Sequence, residues 1–353
     1  MWWIDNPAMD DETPIGWILE DSSGTLVGFI ANIPVFYQIF GKKDRAVASS
    51  SWYVKPEARG MTSLKLIQTF LAQEGKKLFI ANQPEGDVPK ILLRLGLDHT
   101  PLPFNGTEYV YILSIDQILV LALSRLLKKP RLFPVLKVLA YPMKAIAPPF
   151  KLIRRLQHPW NKGQKSIPPS DGYTCSVIDH CDESFTRLWE ENKNENHITL
   201  YRDAETLNWL YFSKSIANQR RVIRCVNSTD DGLAGYLVFD IIHFQKINVK
   251  IFRLVDTYIP NLNERILSSL ISFVIAEAKR NKIAALRFWA RDRAMDHILK
   301  RWFKIRRKYD FLYYYKLNAP DNINAEDLAK HEFWPSPVDP ERGTIAFYSS
   351  LFS

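Results

Sequence analysis

At 353 residues the chain is too long for one small core and about right for two domains. An apolar fraction of 46% and a charged fraction of 24% exclude disorder as the default, and three cysteines with no C-x-x-C spacing argue against a disulfide framework or a zinc site. The net charge of +9 is concentrated, because eleven basic residues and no acid lie between Gln117 and Ser170. That segment exceeds the charge of the whole chain, so basicity is a local feature and specific DNA binding is not expected.

The start, Met1-Trp2-Trp3-Ile4-Asp5, lacks the basic flank and apolar run of a signal peptide, and no stretch reads as a membrane span. Both point to a cytoplasmic protein. Residues 24–41 read as a hairpin: strand Leu26 to Ile30, an edge or bulge at Pro34-Val35, strand Phe36 to Phe40, and a closing turn at Gly41 to Asp44. A third strand, Ala46 to Val54, ends at Pro56. After Arg59-Gly60, Leu64, Leu66, Ile67, Phe70 and Leu71 recur at helical spacing, and Gly75 stops the helix. Leu78 to Ile80 reads as a strand. Asp87 to Leu95 reads as a short helix with Pro89 in its first turn, and Glu108 to Leu113 as a final strand.

The same order recurs. Gly232 to Val238 matches Gly24 to Ile30 in pattern, and a strand from Val249 to Tyr258 ends at Pro260. A helix follows with Ile266, Leu267, Leu270, Ile271, Val274 and Ile275 on one side. Then come strand Ala285 to Trp289, helix Arg293 to Trp302 and strand Phe311 to Leu317. Six elements in one order at one spacing mark a duplication. The second copy has more in front: strand Cys175 to Ile178 and helices Asp182 to Asn192 and Ala204 to Phe212. The first copy starts almost at its hairpin.

Three antiparallel strands, a turn, a helix and then strand–helix–strand resemble the GNAT acyltransferase fold. Val54-x-Pro56-Glu57-x-Arg59-Gly60 resembles that family's strand-exit motif, V-x-P-x-x-R-G-x-G-x-G. The pair of modules is similar to the tandem GNAT arrangement, including bacterial envelope transferases of the Fem type and proteins of polysaccharide clusters. The expected fold class is therefore α/β with mixed sheets, in two GNAT-like domains in tandem, the first shortened at its N-terminus. The domains run 1–115 and 171–318, with a basic apolar linker at 116–170 and a tail at 319–353. The resemblance implies acetyl-CoA or another acyl-CoA as co-substrate. Its pantetheine arm would lie on the splayed strand at Val54, and its pyrophosphate at the turn and helix start of Arg59, Gly60, Thr62 and Ser63. A helix start suits an anion because its first N–H groups lack acceptors. Asn82, after the next strand, falls where the family often has Asn near the cofactor. The family's later glycines fall at Thr62 and Leu64, and the second copy reads Pro260-Asn261-Leu262-Asn263-Glu264-Arg265, with no glycine. Leu93 and Leu299 stand where many members carry a general-acid tyrosine.

Acyl transfer to an amine needs a group to take a proton from the nucleophile. Asp256 is the candidate: strand periodicity puts it on the face of Phe252 and Leu254, where a carboxylate is costly unless satisfied. A structural ion pair with Arg253 or a turn cap explains it equally. In the first copy the corresponding face carries Ser49, Ser51 and Tyr53, and Ser51 and Tyr53 could line an acyl or sugar pocket. His197, Arg202 and Trp209, in a polar–aromatic stretch before and within a helix, could cover the acceptor site of the second module, as could Tyr258 at the strand end. A capped helix with Trp209 in the core is the plainer reading. No second histidine stands at metal-ligand spacing, so no metal is expected.

In the linker, Ile118-Leu119, Ala122 and Leu126 recur at helical spacing beside Arg125, Lys128 and Lys129. Residues 117–155 could lie on an anionic membrane surface, or strap over the domains with their lysines in water. The function expected is an acyl-CoA-dependent N-acyltransferase with a small-molecule amine acceptor, such as an amino sugar of envelope or polysaccharide biosynthesis. A Fem-like aminoacyl-tRNA-dependent transferase and a non-catalytic binding protein on degenerate modules are the alternatives.

Overall fold

In the computed structural model, which describes residues 5–82, 86–101, 107–126, 171–213, 219–290, 292–307, 312–318 and 332–333, the expected hairpin at 24–41 is a single strand. β1 (Gly16–Glu20) pairs antiparallel with β2 (Leu26–Ile39), which pairs antiparallel with β3 (Lys42–Val54). Pro34 does not break β2 because its missing N–H falls where no strand asks for one. The Asn32 N–H donates to Ile15 O, so Pro34, two residues on, turns its nitrogen to the same side, away from β3. On that side β1 ends at Gly16↔Ala31, and the next strand begins only at Tyr37. Asn6 Nδ2 fills the gap by donating to Pro34 O at 2.8 Å.

Two compact units emerge, and neither is one continuous repeat. The first draws its described residues from 1–105, 179–218 and 310–353, the second from 106–178 and 219–309. In the first, α1 (Met61–Leu71) buries Leu66, Ile67 and Phe70 against Ile30, Val47, Val54 and Phe79. β4 (Leu78–Asn82) runs parallel to β3, and α2 (Val88–Arg94) leads to the short β5 (Asp98–Pro101). In the second, β6 (Glu108–Ile112) precedes α3 (Ile115–Leu126) and β7 (Tyr173–Ile178).

The next elements return to the first unit: α4 (Glu183–Asn192), β8 (His197–Leu200) and α5 (Ala204–Phe212). Sequence order assigns them to the front of the second module, but β8 pairs with Tyr37 and Gln38 of β2. Gln38 Nε2 donates to Asn194 O and His197 O, at 2.7 and 2.9 Å, and Tyr201 N to Phe36 O at 2.9 Å. The apparent shortage of front helices in the first module is made up by the second repeat. The second unit resumes with β9 (Arg220–Asn227), β10 (Leu233–Phe244), β11 (Val249–Tyr258), α6 (Glu264–Arg280), β12 (Ala285–Trp289), α7 (Arg293–Trp302) and β13 (Ile305–Arg307). β14 (Leu312–Leu317) and β15 (Glu332–Phe333) go back to the first.

The sheet orders expose an exchange. The first sheet runs β15-β8-β2-β3-β4-β14-β5, with β1 also on β2; the second runs β13-β6-β12-β11-β10-β9-β7. β6, the last strand of the first repeat, lies between β12 and β13 of the second. β14, the last strand of the second, lies between β4 and β5 of the first. Each repeat therefore ends inside the other's sheet. Reading each final strand as closing its own module is corrected on this point: local pattern identifies a strand but not its partner.

Within α3, Ile118 and Leu121 pack on Val249, Ile251, Ala284 and Ala285, so this part of the linker covers the second sheet. The remainder of the stretch expected to meet a membrane, 127–155, lies outside the described residues. Among the described residues no helix is long and apolar enough to cross a membrane.

Candidate functional site

Both sheets part at their centres. The parallel pairing of β3 with β4 runs from Ala46↔Leu78 to Ser49↔Ala81 and stops, while β3 continues to Val54. That of β11 with β12 runs from Ile251↔Ala285 to Arg253↔Arg287, while β11 continues to Tyr258. The strand beyond each fork turns backbone N–H and C=O groups toward a gap instead of a ladder, and these groups require partners. Each fork also carries a β-bulge. In β3, Ser51 and Trp52 oppose Ile30 alone, and Ser51 takes a left-handed φ of 53°. In β11, Val255 is the extra residue between Val238↔Asp256 and Phe239↔Leu254.

A bulge reverses side-chain parity, which corrects two expectations. Asp256 shares a face with Val238, hence with Asp240 and Arg253, and not with Phe252 and Leu254. In the first unit Ser49 faces α1 with Val54, whereas Tyr53 and Ser50 take the other face. The forks also share a close approach. A Cβ on Gly28 would stand 3.0 Å from Tyr53 O and one on Gly235 3.0 Å from Tyr258 O, so at the matching place in each repeat a side chain would press on the neighbouring strand's backbone.

The two helix starts differ. In the first unit α1 opens on Gly60 (φ 126°), where added atoms would meet open space, and no side chain caps its first N–H groups. Ser63 Oγ bonds only the Gly60 backbone, donating to its carbonyl at 2.6 Å. Arg59 Nε donates to Val54 O at 3.1 Å, anchoring the guanidinium between strand exit and helix start. Thr62 is exposed and Ser63 half-buried. Thus Ser51, Tyr53, Val54, Arg59, Gly60, Thr62 and Ser63 lie along one continuous path. Asn82 ends β4 in register with Tyr313; its side chain lies outside the described part.

In the second unit the corresponding turn is closed. Asn261 and Leu262 take positive φ (50° and 43°), the Asn263 side chain accepts from Arg265 N, and Glu264 pairs with Arg301. An acid and an occupied cap at a helix start oppose a phosphate. The fork carries buried charge instead. Asp240 (1% exposed) accepts from Arg220 Nε at 3.1 Å and from Arg253 Nη2 at 2.6 Å, its register neighbours on either side. Asp256 and Tyr258 are buried along the same edge.

Glu108 was missed by sequence reading. It is fully buried, opposite Trp289 at the end of β12. Its Oε1 accepts from Arg287 Nε at 2.5 Å, and among the described residues its Oε2 has no hydrogen-bond partner. The only signal was an acid heading the apolar run Tyr-Val-Tyr-Ile, and strand exchange delivers it to the other repeat's fork.

His197, Arg202 and Trp209 belong to the first unit. His197 Nε2 meets Asn194 Nδ2 at 3.1 Å, Arg202 is buried, and Asp203 caps α5 by accepting from Thr206 N while pairing with Lys43. Of the three, Trp209 lines an open groove of about 930 Å³ beside α4 and α5, with Asp203, Glu183 and Glu205.

Neither a protein-family model nor a curated protein sequence matches the chain. Solved structures do. A probable N-acyltransferase of unknown function from Enterococcus faecalis aligns over 86% of this chain and 60% of its own, with TM-score 0.51 and 12% identity. This chain thus spans about 60% of the length of that protein. Saccharomyces cerevisiae N-myristoyltransferase with bound myristoyl-CoA aligns over 92% of this chain and 73% of its own, with TM-score 0.52 and 13% identity. The likeness is one of fold: two mixed α/β sheets, each forked as the GNAT resemblance implies.

Proposed function

We propose that the chain is an acyl-CoA-dependent N-acyltransferase. The observation that carries this reading is the first unit's open, uncapped start of α1 directly after a bulged strand that has left its parallel neighbour. The strand from Ser51 to Val54 offers backbone groups to a pantetheine arm. The Met61 and Thr62 N–H groups, with Arg59, offer donors and positive charge to a pyrophosphate. Likeness in fold to a protein that binds myristoyl-CoA supports the same co-substrate class. Acetyl-CoA is the simplest donor to test.

The acceptor is an amine, with an amino sugar of envelope or polysaccharide biosynthesis as the proposed kind. The amine nitrogen attacks the thioester carbonyl, its proton passes to a carboxylate, and the coenzyme thiolate leaves and is protonated.

The binding test uses Met61→Pro. Proline is tolerated at the first helical position but deletes one donor. A hydrogen bond to a charged group contributes about 1.5–3 kcal/mol, so acetyl-CoA should bind at least about tenfold more weakly by calorimetry. No heat with the unaltered protein, or equal affinity in the variant, would remove the proposed cradle.

A further inference from the structure

Sequence spacing argues against a disulfide framework, yet the fold sets two of the three cysteines face to face. Cys175 on β7 is in direct register with Cys225 on β9. The strand alternation shows which kind of pair they form. Ser228 N donates to Gly172 O across the two strands, and Asn227 N points the other way, to Gly232 O. Counting from these, the Cys225 N–H turns away from β7, so Cys175 and Cys225 are a non-hydrogen-bonded pair. In such pairs the Cα atoms lie about 4.5 Å apart and side chains approach most closely. Disulfides accept Cα separations from about 4.4 Å.

We propose that Cys175 and Cys225 form a two-thiol oxidation site, which a small disulfide such as oxidised glutathione converts to a cross-strand disulfide. β7 is the edge strand of its sheet, and Cys175 is half-buried on it, while Cys225 is fully buried on the inner strand. The outer thiol is thus the one a reagent can meet. A hydrogen bond with Cys225 lowers the Cys175 thiol from its usual range and raises its partner, so the reachable sulfur is also the better thiolate. The Cys175 thiolate attacks one sulfur of oxidised glutathione, and the departing glutathione thiolate takes up a proton. Cys225 then gives up its proton and attacks the Cys175 sulfur of the mixed disulfide, expelling the second glutathione. The protein loses two hydrogens and the oxidant becomes two thiols. The third cysteine, Cys181, is buried and lies in the first unit.

The bond would matter because of what it encloses. Between Cys175 and Cys225 the chain leaves the second unit, builds α4, β8 and α5 in the first, and returns. A disulfide there closes that excursion at its root and fixes the edge strand.

The test treats the reduced, full-length protein with oxidised glutathione under native conditions. The expected product has the intact mass less two hydrogens, one titratable thiol left, and a Cys175–Cys225 cross-linked peptide after digestion. Its melting temperature rises and returns to the starting value on reduction. Cys225→Ala should stop at the mixed disulfide, holding one glutathione on Cys175, and Cys181→Ala should behave as the unaltered protein. Three thiols remaining titratable after prolonged exposure would overturn the proposal. So would a persistent mixed disulfide in the unaltered protein, or a cross-link involving Cys181.

Discussion

Asp240→Asn tests whether the charged row across the second sheet is held as described. Asp240, Arg220 and Arg253 stand side by side on three adjacent strands, and the Asp240 carboxylate is the acceptor for both guanidinium groups. The side chains of Arg220 and Asp240 are each 1% exposed and that of Arg253 14%, so water replaces very little of the lost charge. Removing one partner of a buried pair costs about 3–5 kcal/mol, chiefly from the charge left behind. Arg253 can shed part of its share toward solvent, which favours the lower end. Even about 3 kcal/mol is a large fraction of an ordinary total of about 5–15 kcal/mol. The melting temperature should fall by about 6–12 °C for a unit of this size. Thermal unfolding of both proteins measures that shift, and urea unfolding followed by tryptophan emission measures the free-energy loss. The triple variant Asp240→Leu, Arg220→Met, Arg253→Met removes the three charges together and should recover part of the loss, because apolar replacement of a buried ionic triad is often neutral or stabilising, while buried Asp256 on the same face keeps its charge. A single-variant cost under about 0.5 kcal/mol, the size of an ordinary surface change, would show that the row is not a buried ionic unit.

Gly28→Ala and Gly235→Ala each place a Cβ 3.0 Å from a carbonyl oxygen of the neighbouring strand. Each should cost about 1–3 kcal/mol in denaturant midpoint, and a neutral result at either position would break the equivalence of the forks. Asp10 is held at about 2, below its ordinary 3.8, first by the Thr13 hydroxyl and then by Arg45. A depressed carboxyl contributes stability above its unfolded value and loses it as pH falls through the folded one. The part of the acid loss lying between 3.8 and about 2 should therefore shrink in Asp10→Asn, and identical acid titrations of the two proteins would contradict the clasp. Cleavage at a protease site engineered within 130–165 should leave both fragments co-eluting without denaturant, because each holds an interior strand of the other's sheet. Fragments that separate at once would contradict the strand exchange.

Regular elements were largely legible from periodicity. Helix Arg293–Trp302 and strands Ala285–Trp289 and Val249–Tyr258 have the bounds their patterns imply. What escaped depends on partners distant in sequence. β5 and β13 are three or four residues long and show no alternation, so only the inserted neighbour reveals them as strands. Pro34 read as an interruption because its tolerance depends on the end of β1 and the start of β8. The single extra residue at Val255 turned Asp256 to the opposite face, and alternation cannot anticipate a bulge. At the candidate site the Arg59-Gly60 exit was visible as a motif, but the closed turn at Asn261-Leu262 was visible only as missing glycines.

The exchanged strands tie the histories of the two repeats together. After an ordinary gene duplication one copy is free to drift while the other keeps the original task. Here a substitution at Glu108 belongs by inheritance to the first copy, yet its effect falls on the fork of the second, beside Arg287. A change at Tyr314 belongs to the second copy and lands in the core of the first. Neither half can be silenced, swapped for a homologous half or specialised alone, so selection acts on the pair as one heritable object.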